Sequence, residues 1–130
     1  SVSSNAQSAT AGARKLLEEN PQINLLVGFN EWSTIGVGMA IKELGLKDRV
    51  CAIGFDNNTE CVGMLETGEL DTLIVQNPFS MGYLAVMNAA NILSGKKTES
   101  VIKTDVYVVD RSNMFSADVQ KILFGFDKYD

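Results

Sequence analysis

The fold of this chain is decided by residues 70–79, which read Leu-Asp-Thr-Leu-Ile-Val-Gln-Asn-Pro-Phe. The apolar run Leu73–Val75 is typical of a buried strand, and Pro78 suits the first position of a helix, where its missing N–H costs nothing. Gln76 and Asn77 lie between them, at the carboxyl end of the predicted strand. Ligands bind at that end of the strands in open α/β sheets, so this stretch indicates both a fold class and the edge of a binding site.

The same order of strand, polar tip and helix occurs twice more upstream. One predicted strand, Ile23–Phe29, ends at Asn30, and another, Val50–Phe55, ends at Asp56. Alternation of helices and strands with short connections favours a doubly wound, mainly parallel sheet in three layers, joined by right-handed crossovers. The predicted fold class is therefore α/β.

Composition narrows the range of functions. With 130 residues the chain is long enough to form one domain around a single core. Its net charge of −5 argues against nucleic-acid binding by this segment, because such binding needs clustered Lys and Arg. The chain has no histidine, the usual general base and a common metal ligand. We therefore predict no enzyme activity, no metal and no cofactor, and an acidic surface that suits a solute without negative charge.

Two cysteines, Cys51 and Cys61, are ten positions apart and do not form a Cys-x-x-Cys pair. Without histidine or a second cysteine pair, a zinc site is not expected. A disulfide would need the strand and the following helix to bring the two Cα atoms within about 7 Å. A bridge and a pair of buried free thiols both remain open, so the cysteines do not fix the compartment.

Periodicity predicts the other elements. They are an amphipathic helix over Ala9–Glu19, a helix capped by Ser33 or Thr34 and closed by Gly45, a helix capped by Asn58 or Thr59 and ended by Gly68, a helix from Pro78 to Leu93, an edge or crossing strand within Val101–Asp110, and a tail helix with Val119, Ile122, Leu123 and Phe126 inward. A sheet of this kind usually opens with a strand, yet only Ser1-Val2-Ser3 precedes the first helix. We therefore expect the chain to be truncated at its amino end.

The three strand tips supply a distinctive set of polar side chains. If the strands are parallel, Asn30, Asp56 and Gln76 project into one crevice at the same edge of the sheet. An ionised Asp accepts hydrogen bonds from hydroxyls, while Asn and Gln each donate and accept, so the set suits a neutral sugar. Aromatic residues flank the tips and could cover the apolar faces of a sugar ring: Phe29, Trp32, Phe55 and Phe79.

Each of these side chains also has a structural interpretation. Asp56 or Asn57, taken singly, is more often a helix cap than a ligand contact, whereas Gln76 is a poor cap by type. Trp32 either lines the ligand site or covers the core, and Glu31 is either a partner of the helix dipole or a contact at the rim. The side chains expected to fill the core are Phe29, Phe55, Met39, Met64, Met81 and Met87.

Five short segments carry a resemblance to a known family. They read Leu-Leu-Val-Gly-Phe-Asn-Glu at 25–31, Ile-Gly-Phe-Asp at 53–56, Gly-Glu-Leu at 68–70, Val-Gln-Asn-Pro at 75–78 and Met-Gly-Tyr at 81–83. In this order and spacing they closely resemble the carboxy-terminal lobe of type I periplasmic sugar-binding proteins. This ribose-binding-protein-like group shares its fold with the effector domains of the lactose-repressor family. The resemblance covers nearly the whole chain and implies that residues 1–130 form one such lobe, whose amino-terminal partner lobe is absent.

The resemblance also implies a set of sugar contacts. They are Asn30 after one strand, Asp56 in the Gly-Phe-Asp segment, and Gln76 after the next strand. The family usually has Asp after the Asn, whereas Glu31 and Trp32 follow here, which leaves the identity of the sugar open. In the family the other lobe supplies the opposite wall, and two lobes close around a hinge. One lobe by itself is therefore expected to bind weakly.

The resemblance leaves two contexts for such a lobe. In the first, it belongs to a binding protein that delivers a sugar to the membrane subunits of an ABC transporter, outside the cytoplasm, either periplasmic or lipid-anchored at the cell surface. In the alternative, it senses a sugar for a cytoplasmic lactose-repressor-type regulator with a DNA-binding domain, or for a sugar-sensing receptor kinase. The run Gln-Asn-Pro-Phe-Ser-Met-Gly-Tyr, which begins at Gln76, more closely resembles the transport branch.

A phosphoacceptor receiver domain would share the sheet topology and make Asp56 the phosphorylated residue. That function needs a pair of acidic residues before the first helix and a Lys before the proline of the late strand. The chain has no such acidic pair and has Gln76-Asn77-Pro78 at the late strand. The receiver function is therefore excluded.

Overall fold

A computed structural model describes residues 5–125 of the chain and divides it into two compact units. The described part of the first unit comprises residues 5–75 and 108–125, and the second unit comprises residues 76–107. Helices alternate with the strands of an open sheet, so the predicted α/β class is confirmed. No helix among residues 5–125 is long and apolar enough to cross a membrane.

The described residues form nine helices and strands. In chain order they are α1 (Ala6–Glu19), β1 (Leu25–Val27), α2 (Glu31–Leu44), β2 (Cys51–Phe55), α3 (Thr59–Thr67), β3 (Thr72–Gln76), α4 (Pro78–Leu93), β4 (Val106–Asp110) and α5 (Ala117–Phe124). All the elements that periodicity predicts are present. Of the inward set predicted for the tail helix, Leu123 is buried, whereas Phe126, like Ser1-Val2-Ser3, lies outside the described residues.

The sheet has four strands in the order β1-β2-β3-β4. Strand β4, predicted as an edge or a crossing strand, is therefore an edge strand. Strand β2 pairs in parallel with β1, where Leu26 lies opposite Ala52, and with β3, where Phe55 lies opposite Ile74. Parallel strands joined by helices have their carboxyl ends at one edge of the sheet. This topology brings the chain segments that follow β1 and β2 together.

The core of the first unit lies on one face of its sheet. In β2, Ala52 and Gly54 are buried, whereas their alternates Cys51, Ile53 and Phe55 are exposed or half-buried. Successive side chains of a strand point to opposite faces, so Ala52 and Gly54 share the face on which the core of the first unit packs.

Helices α1 and α2 pack closely because α2 carries a glycine at the contact. A Cβ atom added to Gly36 would lie only 2.4 Å from the Cβ of Ala9 and 2.6 Å from its carbonyl carbon. Real Cβ atoms do not approach other carbons so closely, so the side chain of any other residue at position 36 would push the two helices apart. The absence of a side chain here fixes the distance between α1 and the helix that begins at the site.

The second unit contains α4, and none of the residues of this helix is buried. Asn77 caps α4. Pro78 occupies its first turn, as predicted. The prediction that Met81 and Met87 fill the core is wrong, because both side chains are exposed. Within the second unit α4 is the only described helix, so no other helix of that unit covers its apolar side chains.

Candidate functional site

The candidate site of the first unit lies at the carboxyl ends of β1 and β2. Asn30 follows β1 and is the N-cap of α2, and Asp56 directly follows β2. A hydrogen bond joins the two segments, because the backbone N–H of Glu31 donates to Oδ2 of Asp56 at 3.1 Å. The structure therefore brings two of the predicted site residues into one place.

Asn30 is both exposed and rigidly held. Its Oδ1 accepts hydrogen bonds from the backbone N–H and from the hydroxyl of Ser33, each at 2.9 Å, and the N–H of Asn30 donates to the Ser33 hydroxyl at 3.1 Å. This reciprocal capping box makes α2 begin at Glu31, so the prediction of a cap at Ser33 or Thr34 is wrong. The Nδ2 group has no hydrogen-bond partner among the described residues, so Asn30 can cap the helix and still donate to a ligand.

Asp56 has a left-handed backbone conformation. It is the only described residue other than glycine with a positive φ, 71°, a region in which Asp and Asn are the most tolerated side chains. The half-buried carboxylate uses one oxygen to accept from the first amide of α2, where the helix dipole favours negative charge. Its other oxygen, Oδ1, has no hydrogen-bond partner within residues 5–125 and is available to accept from a ligand.

Glu31 and Trp32 form the start of α2. Glu31 is half-buried and supplies the amide that binds Asp56, and it is the acidic residue of the first helical turn. Trp32 is 45% exposed, so it does not cover the core of the first unit. Whether either side chain contacts a ligand stays a prediction.

Two aromatic side chains pack together beside the strand ends. The rings of Phe29 and Phe55 have centroids 5.9 Å apart and planes inclined by 35°. Phe29 is 76% exposed and Phe55 is half-buried, so the prediction that both belong to the core is wrong. Phe55 points to the face of β2 opposite the buried Ala52 and Gly54.

Gln76 is the last residue of β3 and the first residue of the second unit, and its side chain is exposed. No hydrogen bond to Gln76's side chain is found within the described residues, which agrees with its being a poor cap. Its membership of a site with Asn30 and Asp56 stays a prediction.

The described part of the first unit offers no metal site or reactive thiol near the strand ends. No group of three or more His, Cys, Asp or Glu in residues 5–125 could hold a metal ion. Both cysteines are free, but Cys51 is exposed, which corrects the prediction of two buried thiols. Burial, followed by the nearby charges of Glu31, Glu60 and Asp56, raises the pKa of the Cys61 thiol to about 12. Cys61 therefore stays a neutral core residue.

Two residues that the sequence suggested only as helix caps make further contacts around the site. The hydroxyl of Thr34, a buried residue of α2, contacts the backbone on both strand ends. The side-chain amide of Asn57 donates to the carbonyl oxygens of Leu123 at 2.7 Å and Ile122 at 3.2 Å, at the end of α5. No local pattern could reveal the contact of Asn57, because Ile122 and Leu123 lie 65 and 66 positions after it in the sequence.

The arrangement in the first unit offers a fixed donor and a fixed acceptor at one edge. Asn30 presents N–H groups, and Asp56 presents a carboxylate oxygen that accepts from hydroxyls. Their orientation is set by hydrogen bonds to α2 that exist without ligand. Such a pair can bind hydroxyl groups.

Comparison with known proteins identifies the family of this chain. Residues 1–97 match the family described as periplasmic binding protein domain. The ribose import binding protein RbsB of Haemophilus influenzae is 30% identical over 94 residues, which cover 72% of this chain and 32% of that protein. The chain thus spans about a third of the length of this relative.

Solved structures of related proteins have the same fold. A carbohydrate transporter solute-binding protein from Agrobacterium radiobacter in complex with D-arabinose is 30% identical, with a TM-score of 0.82 over 94% of this chain and 41% of that chain. An ABC transporter solute-binding protein from Agrobacterium vitis with bound D-fucose is 31% identical, with a TM-score of 0.79 over 92% of this chain and 41% of that chain. By its sequence match and its fold, this chain belongs to the periplasmic binding protein family.

Proposed function

We propose that this chain forms one wall of a sugar-binding site, as one lobe of a two-lobe substrate-binding protein of an ABC transporter. The observation that carries the proposal is the pairing at the ends of β1 and β2. There Asn30 presents a donor and Asp56 an acceptor, and the bond from the amide of Glu31 holds the two segments together. A sugar hydroxyl both donates and accepts, so neighbouring hydroxyls of one ring match this pair.

The charge of the pair selects against anions. Asp56 is the acceptor, and an ionised carboxylate repels a carboxylate or phosphate on a ligand while it strengthens hydrogen bonds from neutral hydroxyls. The acidic chain, with a net charge of −5, has the same preference. A neutral monosaccharide is therefore the proposed ligand class.

The side chains of Asn30 and Asp56 are already held in place without ligand, which favours sugar binding. The capping box fixes Asn30, and the amide of Glu31 fixes Asp56, so neither side chain has to be ordered when a ligand binds. Gln76, Trp32 and Glu31 are included in the proposed site through the family resemblance. The arabinose and fucose complexes of related proteins are in line with a neutral sugar.

The finer part of the proposal is delivery to a transporter from outside the cytoplasm. It is supported by the related proteins whose names describe them as transporter solute-binding proteins or as an import binding protein. In this role the partners are the second lobe, which supplies the opposite wall, and the membrane subunits of the transporter. Closure of the two lobes around the sugar would create the surface that those subunits recognise.

Calorimetric titration of the full-length protein tests the ligand class. The titrants are neutral pentoses and hexoses, with glucuronate as an anionic sugar and an amino acid as a non-sugar control. We expect at least one neutral sugar to bind and glucuronate to bind more weakly than its neutral counterpart. Tighter binding of glucuronate, or binding of the amino acid alone, would refute the proposal.

The contribution of Gln76 is tested by Gln76→Ala, with Gln22→Ala as the matched control. Gln22 is an exposed amide before β1, at the opposite end of the strands. Loss of a side chain that binds a hydroxyl is expected to weaken sugar binding by about 1–3 kcal/mol, because the hydroxyl is left unpaired. Equal affinities of the two variants would remove Gln76 from the site.

Delivery is tested separately from binding. The sugar-loaded protein is added to its transporter in lipid vesicles, and ATP hydrolysis is measured with and without the sugar. Stimulation that needs both protein and sugar is expected. A protein that binds the sugar but leaves hydrolysis unchanged would contradict the transport role and favour a sensing role.

A further inference from the structure

Thr34 is an unusual residue in the core of the first unit. It lies in the first turns of α2, is 0% exposed, and is one of two buried polar or charged residues that the structure describes. Its hydroxyl oxygen accepts a hydrogen bond from the N–H of Phe55 at 2.9 Å. It also lies 2.9 Å from the carbonyl oxygen of Asn30 and 3.1 Å from that of Phe55. One hydroxyl thus contacts the backbone of both strand ends.

The hydroxyl occupies a place that the β-ladder leaves vacant. The last hydrogen bond between β1 and β2 runs from the N–H of Gly28 to the carbonyl of Ile53. In a continued parallel ladder the N–H of Phe55 would donate to the carbonyl of Gly28. Instead the Thr34 hydroxyl accepts from Phe55 and lies 3.3 Å from the Gly28 oxygen, so it bridges the two strands where they diverge.

The side chain of Thr34 has no freedom to turn. A Cβ atom added to Gly54 would lie 2.2 Å from its methyl carbon, and one added to Gly28 would lie 2.6 Å from its backbone nitrogen. Both strands therefore approach Thr34 as closely as glycine allows. A β-branched residue in a helix also has few rotamers, so the methyl group directs the hydroxyl towards Phe55 and Asn30.

The residues that this hydroxyl holds are those next to the proposed sugar contacts. Phe55 immediately precedes Asp56, whose φ of 71° needs support from its surroundings. Asn30 is itself a proposed contact, and its carbonyl also accepts the N–H of Thr34 at 2.9 Å. A displacement of either segment would change the spacing between the donor of Asn30 and the acceptor of Asp56.

We propose that Thr34 is a positioning residue of the sugar site, whose buried hydroxyl sets the spacing between Asn30 and Asp56. This proposal rests on the proposed function, because it assigns a role to a residue that does not touch the sugar. Thr34 acts through the backbone of its two neighbours. Its removal leaves the N–H of Phe55 without its acceptor and allows the ends of β1 and β2 to move apart.

The test compares three substitutions in the full-length protein. Thr34→Val keeps the size and branching but lacks the hydroxyl, Thr34→Ala lacks the hydroxyl without adding apolar bulk, and Thr34→Ser keeps the hydroxyl and lacks the methyl group. Sugar affinity is measured by calorimetry and stability by thermal unfolding without sugar. Ile41→Val, which deletes a buried methylene elsewhere in α2, is the control for loss of stability alone.

We expect Thr34→Val and Thr34→Ala to weaken sugar binding by about tenfold or more, and Thr34→Ser to stay within about threefold of the wild type. Ile41→Val should lower the unfolding temperature and leave the affinity unchanged. If Thr34→Val does not fold, the sugar affinities of Thr34→Ala and Thr34→Ser are compared instead, and the proposal requires weaker binding by Thr34→Ala.

Two results would overturn the proposal. One is wild-type affinity in the folded variants that lack the hydroxyl, while Asp56→Asn binds poorly; the proposed function would then stand. The other is an equal loss in Thr34→Ala and Thr34→Ser, which would assign the effect to the methyl group. If the wild type binds no sugar at all, the proposed function itself fails, and the Thr34 proposal fails with it.

Discussion

Replacement of Asp56 by alanine and by asparagine separates two roles of one carboxylate. In the structure Oδ2 accepts a hydrogen bond from the amide of Glu31 at 3.1 Å, which anchors the first turn of α2. In the proposed function the carboxylate also accepts from a sugar hydroxyl. The first role affects the free energy of unfolding without ligand, and the second affects the affinity for the sugar.

The stability effect can be worked out from the local geometry. Alanine removes an acceptor at a helix N-terminus, which costs about 1 kcal/mol. It must also adopt the positive φ of 71°, which costs about another 1 kcal/mol because alanine has no polar side chain to support it. We expect Asp56→Ala to lower the free energy of unfolding by about 2 kcal/mol. Asp56→Asn keeps an oxygen acceptor and tolerates this backbone, so we expect a loss below about 1 kcal/mol.

The affinity effect follows a different pattern. Both variants lose the ionised acceptor, and a hydrogen bond to a charged group contributes about 1.5–3 kcal/mol. We therefore expect both variants to bind the sugar at least about tenfold more weakly than the wild type. The asparagine variant is then nearly as stable as the wild type and still defective in binding.

Urea unfolding followed by circular dichroism measures the first quantity, and calorimetric titration measures the second. Asp48→Asn, which removes an exposed carboxylate before β2, controls for the change in net charge. An asparagine variant with wild-type affinity would refute the sugar contact of Asp56. An alanine variant as stable as the wild type would refute the helix-anchoring role.

Three further predictions concern packing and the thiols. Gly36→Ala should lower the free energy of unfolding by about 1–3 kcal/mol, because the new methyl meets the backbone of α1. A methyl group at position 63 meets open space, so Gly63→Ala should raise the free energy of unfolding by about 0.5–1 kcal/mol. If urea unfolding shows Gly36→Ala to be more stable than the wild type, the close packing of α1 and α2 is contradicted. Burial raises the pKa of Cys61 from 9.0 to about 12, so its stabilisation is complete below pH 9.0 and is lost as pH rises towards 12. A thiol reagent at neutral pH should modify Cys51 and reach Cys61 only after unfolding. Asn57→Ala should cost about 1–2 kcal/mol, because two hydrogen bonds to the end of α5 are lost; an unchanged urea midpoint would contradict this.

The elements of the fold could be predicted from the sequence because their signals are local. Gly45 and Gly68 close helices with φ values of 64° and 91°, and Pro78 begins α4, as their residue types indicate. The start of α2 was missed because Asn30 was assigned to the strand tip. The structure shows that a strand tip can cap the following helix with one amide atom and leave the other free.

The packing could not be predicted in the same way, because it depends on what lies opposite each element. Residue type predicts Met81 and Met87 in the core, yet both are exposed in the second unit. Residue type predicts Phe29 and Phe55 in the core, whereas Phe29 lies after the end of β1 and Phe55 lies on the face of β2 opposite the buried Ala52 and Gly54. The sequence suggested Thr34 only as a cap of α2, because its contacts depend on the two strand ends that meet at its hydroxyl.

The central claim is that Asn30 and Asp56 bind hydroxyl groups of a sugar, and a crystal structure of the full-length protein with its sugar tests this most directly. We predict that sugar hydroxyl oxygens lie about 2.6–3.1 Å from Oδ1 of Asp56 and from Nδ2 of Asn30, while the bond from the amide of Glu31 to Oδ2 is kept. A bound sugar that contacts neither side chain would contradict the account.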